Sequence, residues 1–208
     1  MNKGMLKWGY VAGLLAPIWL LIGVVIAGSL YPGYSHLNQA MSELGAIGAP
    51  THVLSPQINN FPLGVLFIVF GLAAFATFHT SKLAQLSAVL IVLHGVASFG
   101  TGYFSCDIGC GLANPSDSQK LHNLSGLVMF LTLLIANALW IYLASRVLGL
   151  KWFAWFSLVC TLGALSVLPL MGQAVEAGQG FGLYQRINYG VSILWIGVFA
   201  GVLISRRA

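Results

Sequence analysis

The chain has 208 residues, of which 58% are hydrophobic and 6% charged, with a net charge of +5. A soluble domain carries about 25% charged residues, so this sequence could fill a core of ordinary size but could not supply a surface that faces water. Its solvent is lipid, which admits only helices or closed barrels because every backbone polar group must be bonded internally. The apolar runs are near-continuous and about twice the roughly ten residues of an alternating barrel strand, which leaves helices.

In chain order, Lys3 and Lys7 precede a first apolar run, 11–30. Twenty apolar residues exceed a usual signal core, so this run is expected to be a retained helix. A polar segment, 31–60, follows. Ser35 is placed to cap a short helix that Gly45 would end, with Leu37, Met41 and Leu44 on one face and His36 and Glu43 on another. The second run is 61–78, and Lys82 separates it from the third, 83–103, which carries His94 near its middle. The segment 104–123 contains Cys106, Asp107, Cys110 and His122. The fourth run is 124–144, followed by Arg146 and Lys151, and the fifth is 152–171 with Cys160 inside it. Gln185 and Arg186 close the segment 172–186. The sixth run, 187–204, carries Gly197 and Gly201 as a GxxxG pattern, which reads first as packing within the chain. Arg206 and Arg207 follow.

None of the six runs contains Asp, Glu, Lys or Arg, each of which would cost about 2.5–3.5 kcal/mol at the centre of a span. The chain is expected to be all-α, a polytopic six-transmembrane-helix bundle forming a single domain over 1–208. An even number of spans gathers seven of the nine bases on one face. The excess of Lys and Arg makes that face cytoplasmic, so both termini are expected in the cytoplasm. The opposite face holds Lys120, Arg186 and all four acids, Glu43, Asp107, Asp117 and Glu176. The positive charge is then a topology signal, and it does not argue for nucleic acid.

Chemistry gathers on that extracytoplasmic rim. Cys106 and Cys110 lie in a compartment where disulfides persist and can approach bonding distance with Gly109 easing the turn. The pair reads as a staple that holds Asp107, with a redox-active pair as the alternative. Asp107 ends the third span and His122 begins the fourth, so antiparallel neighbours should bring them together as a general-base pair, part of a metal site, or a clamp that closes a loop. Glu43, with Ser42 beside it, joins Asp107 and His122 as a candidate catalytic group. With His36 these make two carboxylates and two imidazoles, an inventory that could hold zinc with an open position, although no HExxH-like spacing is present. Arg186, with Gln185, could clamp a phosphate or carboxylate, pair with Glu43, Asp107 or Glu176, or sit among headgroups. His94 is a ligand-binding candidate because an ionisable group at membrane depth is a functional hypothesis by default. Ser98 and Asn137 are its possible partners within the core. His79 lies far from it in depth, which argues against a bis-histidine haem.

Tyr31-Pro32-Gly33-Tyr34, Met41-Ser42-Glu43-Leu44-Gly45, Phe104-Ser105-Cys106-Asp107-Ile108-Gly109-Cys110, Leu121-His122-Asn123-Leu124-Ser125-Gly126 and Gly182-Leu183-Tyr184-Gln185-Arg186 together resemble the bacterial and archaeal membrane family called domain of unknown function 998. Ser105 stands where that family's pattern commonly has Pro. The resemblance spans the chain and implies a bacterial cytoplasmic (inner) membrane, but no reaction. The family is similar in helix count to eukaryotic proteins implicated in lipid remodelling and autophagy, an analogy of fold alone.

Two functions follow as expectations. The rim binds a membrane lipid or other amphiphile and could hydrolyse or transfer part of it. Alternatively the chain is a non-catalytic small subunit or assembly factor docked to a larger membrane-protein partner. A transporter would require an ionisable relay, and the spans offer only His94.

Overall fold

Helix ends fall where capping chemistry is at hand. Asn2 accepts from the Met5 backbone N–H, Ser81 from that of Ala84 and Ser116 from that of Gln119, so each supplies an acceptor to an otherwise orphaned donor. The computed structural model describes residues 2–111 and 113–206; Arg207 lies outside them. The helices are α1 (Lys3–Ser29), α2 (Leu54–Ile58), α3 (Asn60–Thr77), α4 (Lys82–Tyr103), α5 (Asp117–Val147), α6 (Lys151–Ser166), α7 (Leu168–Ala177) and α8 (Phe181–Ser205), with 3₁₀ turns at Met41–Gly45 and Ile108–Cys110. Among the described residues six stretches are long and apolar enough to cross a membrane: Lys3–Ser29, Leu54–Thr77, Lys82–Tyr103, Asp117–Val147, Lys151–Ala177 and Phe181–Ser205. The chain is a multi-pass, all-helical membrane protein.

Three expectations need correction. The helix from Ser35 to Gly45 does not form. Gln39 turns its amide back, its Oε1 accepting from the Ser35 N–H at 2.8 Å and its Nε2 donating to Glu43 at 2.9 Å, while Glu43 Oε1 takes the Ala40 N–H at 2.8 Å. These local bonds compete with a helical ladder, and Ala40 is extended. Ser35 caps a single turn, its Oγ accepting from the Asn38 N–H at 3.3 Å. The fourth span is longer at its start than its apolar run, because Ser116 nucleates α5 through polar sequence. The fifth breaks between α6 and α7 at Val167. Pro169 has no N–H to give and its ring would meet the carbonyl four residues back.

Around the bundle α1 packs on α3, α3 on α4, α4 on α5, α5 on α6 and α6 on α8, and α8 closes the ring on α1; α5 and α8 also touch across it. Gly64 and Gly95 let α3 and α4 meet backbone to backbone: a Cβ on Gly95 would lie 2.7 Å from the Gly64 carbonyl oxygen. Gly197 faces the Pro17 ring of α1 within the same chain.

The two halves of this ring are filled differently. The half next to Lys82, Arg146 and Lys151 is packed with aromatic rings. Phe78, Trp140, Phe153 and Phe199 are buried, with Trp140 and Phe199 centroids 4.4 Å apart and Phe78 and Trp140 centroids 5.1 Å apart. The indole N–H groups of Trp140 and Trp195 donate to Ser87 and Ser157, each at 2.9 Å. The other half, under the long loops, is hollow.

Candidate functional site

The loop 34–40 is bolted to the start of α8. The first backbone N–H groups of a helix have no partner within it, and here Gly182 N–H donates to the Asn38 carbonyl at 3.2 Å and Leu183 N–H to the Leu37 carbonyl at 2.8 Å. Gly182 sits so close to the Gln39 carbonyl that a Cβ would not fit. One turn on, Arg186 donates to the carbonyls of Gln39 and Gly182, both at 2.9 Å, and to the Tyr34 phenol oxygen at 2.6 Å. Its guanidinium also lies over the Tyr34 ring, 5.7 Å from the centroid. His36 Nδ1 is 3.3 Å from the same guanidinium and accepts from it, which requires a bare nitrogen there. Burial and the neighbouring Arg186 charge hold the His36 imidazole below its ordinary pKa. Burial raises the Tyr34 phenol, against the opposing pull of Arg186. Arg186 therefore takes no carboxylate: among the described residues the one ion pair is Lys120 with Asp117, at 2.8 Å.

The second corner is built around Asp107. Its carboxylate accepts from Ser116 twice, from Oγ at 2.6 Å and from the N–H at 2.9 Å, and these bonds hold it below the usual carboxylate range. Its own N–H donates to Gln119 Oε1 at 2.7 Å. Cys106 and Cys110 form a disulfide, and the turn between them passes through left-handed backbone at Gly109 (φ 66°) and Cys110 (φ 52°). The Cys106 carbonyl accepts from the Ile47 N–H at 2.9 Å, tying this corner to the first loop. Asp107 and His122 do not bond each other. His122 Nδ1 donates to the Phe104 carbonyl at 2.7 Å instead.

Between these corners a cavity of about 760 Å³ descends into the hollow half. Of the residues expected to carry the site, Ser42, Glu43, His122 and Gln185 line it, while Asp107, His36, Arg186 and His94 do not. Gln185 Oε1 accepts from the Met41 N–H at 2.7 Å, which fixes the Ser42–Glu43 turn over the mouth. Deeper down the wall is apolar, with Leu63, Met129, Phe130, Leu133 and Met171. Both α5 and α7 line the cavity, yet α7 makes its main contacts with α8 and α6 rather than with α5. Gly126, on α5, has no atom within 4 Å of where a Cβ would stand.

Sequence reading missed further polar groups of the wall, Asn60, Thr101, Gln119, Asn123, Asn188 and Tyr189. Their signal was available: Thr101, Asn188 and Tyr189 interrupt apolar runs. Tyr189 also explains His94. The imidazole donates from Nδ1 to the Met129 carbonyl at 2.9 Å, so its Nε2 accepts from the Tyr189 hydroxyl at 3.1 Å; neither Ser98 nor Asn137 is its partner. His94 is thus a neutral, doubly bonded residue beneath the wall, packed edge-on to Phe67. Among the described residues no three His, Cys, Asp or Glu side chains gather in a way that could hold a metal ion.

The family described as Protein of unknown function (DUF998) matches residues 14–202, and the chain belongs to it. No curated protein and no solved structure matches the chain.

Proposed function

We propose that this member of the DUF998 family binds a lipid or other membrane amphiphile in the cavity at its loop-rich end. One observation carries the reading: a cavity with polar groups at its mouth and a largely apolar wall below, above an aromatic core that fills the centre of the bundle's other half. Protein interiors leave few voids larger than a water molecule, and ligand sites run to about 300–1,000 Å³ with mostly apolar walls and a few polar groups. The seam between α5 and α7 supports entry of an acyl chain from the side. The charge asymmetry supports a mouth that opens away from the cytoplasm. Any chemical step on the ligand would fall to Glu43 and His122, because Asp107 lies outside the cavity and is held by Ser116.

Mass spectrometry of the protein purified in mild detergent tests this. The wild type should carry a bound amphiphile, and Gly126→Phe, which projects a ring into the cavity, should lose most of it while keeping its helix content. A wild type that carries no amphiphile would end the reading. A stoichiometric protein partner in its place would favour the small-subunit alternative.

A further inference from the structure

The wall of the cavity also says which head group it suits, an inference that rests on the amphiphile reading above. Among the described residues neither Lys nor Arg lines it. Arg186, the residue after the lining Gln185, is turned to Tyr34, Gln39 and Gly182. Among the described residues the single acid in the wall is Glu43, at the mouth, where its carboxyl oxygens accept from Gln39 and the Ala40 N–H. Phosphate and carboxylate groups are held by Arg and Lys, and a carboxylate beside them disfavours both charges. An anionic head group would meet repulsion here and no counter-charge.

Beside the His122 imidazole, whose Nδ1 is spent on the Phe104 carbonyl, the remaining polar wall is mainly amide and hydroxyl. Asn188 donates its amide nitrogen to the Ala164 carbonyl at 2.7 Å, Asn60 donates to Thr101 Oγ1 at 2.9 Å, and Asn123 accepts from Gln119 Nε2 at 3.0 Å. An amide side chain is both donor and acceptor, and each of these uses one end. Among the described residues the side-chain oxygens of Asn60 and Asn188 and the amide nitrogen of Asn123 take no protein partner. Hydroxyl groups, which donate and accept, complement both kinds of free end. We infer that the cavity selects an uncharged, hydroxyl-rich head group on an acyl-chain anchor, of the glycosyl-diacylglycerol class, over an anionic phospholipid.

The test reconstitutes the full chain in nanodiscs of phosphatidylglycerol doped with monoglucosyl-diacylglycerol and reads the retained lipid by native mass spectrometry. The glycolipid should be enriched roughly tenfold over its share of the bilayer, equivalent to about 1.4 kcal/mol. Asn123→Lys, which sets a cation at the exposed upper wall, should move retention toward phosphatidylglycerol. Phosphatidylglycerol retained at or above its share by the wild type would overturn the head-group assignment and leave amphiphile binding standing. Neither lipid retained by folded protein would overturn amphiphile binding itself.

Discussion

Arg186 donates to the phenol oxygen of Tyr34 at 2.6 Å across 152 residues of sequence, joining the start of the last helix to the first long loop. The bond belongs to a fork that also holds the Gln39 and Gly182 carbonyls. Hydrogen bonds to a charged group contribute about 1.5–3 kcal/mol each in mutational series. Arg186→Ala should therefore lower stability by about 2–4 kcal/mol, read as a fall in the thermal midpoint in detergent. Arg186→Lys should recover less than half of that, because an ammonium cannot span the fork.

Acidification should loosen the same latch. The folded pKa of His36 is depressed, so the unfolded chain binds the proton more readily. Stability is then fully present above the ordinary histidine value of about 6.5 and declines as pH falls below it. Asp107 acts in the same direction in a lower window. Its folded pKa is depressed by Ser116, so its contribution is present above the ordinary carboxylate value of about 4 and is lost as pH falls through the folded value. Thermal midpoints measured against pH should show both declines, with His36→Gln flattening the upper one and Asp107→Asn the lower. A wild-type profile flat from neutrality down would count against both assignments.

Tyr189→Phe removes the hydroxyl that bonds His94 Nε2 and leaves a buried imidazole acceptor without a partner. Such a group costs about 1–3 kcal/mol. The same substitution in a His94→Leu background should cost markedly less, because the coupling is then gone. Equal costs in the two backgrounds would mean that the pair contributes nothing jointly.

The Cys106–Cys110 disulfide closes a short loop, so its stabilisation is small, about 2 kcal/mol by chain entropy. Replacing both cysteines with serine should lower the thermal midpoint modestly and leave helix content unchanged. Because Gly109 and Cys110 line the cavity mouth, amphiphile retention should fall more than stability does. Full retention in the double variant would make the staple irrelevant to the site.

A reporter active only in the cytoplasm, fused after Ala208, should be active, and a membrane-impermeant thiol reagent should label Asn123→Cys from outside intact cells. The reverse pattern would invert the proposed orientation and turn the cavity toward the cytoplasm.

Hydropathy alone located the six spans, because no charged residue enters the apolar runs and the cost of one there is high. It understated α5, since Asp117–Asn123 reads as loop by polarity although Ser116 starts a helix there. It also hid the break at Val167, where composition stays apolar on both sides of Pro169. For the candidate site, sequence singled out residues at the loop-rich end, where the cavity opens, but not their partners. Asp107 and His122 were expected to meet, and each instead found a nearer group in its own loop, Ser116 and the Phe104 carbonyl. Arg186 was open to a ligand clamp, a pairing with an acid or a place among headgroups, and Gly182 brings the loop 36–40 so close that carbonyl oxygens take the guanidinium instead. A cavity has no sequence signature of its own, because it is made by side chains that stop short of one another.

The packed rings of Phe78, Trp140, Phe153 and Phe199 make the bundle a cup rather than a pipe. Those rings are a floor to the cavity, so under the amphiphile proposal a bound molecule would come and go by the rim or the side seam.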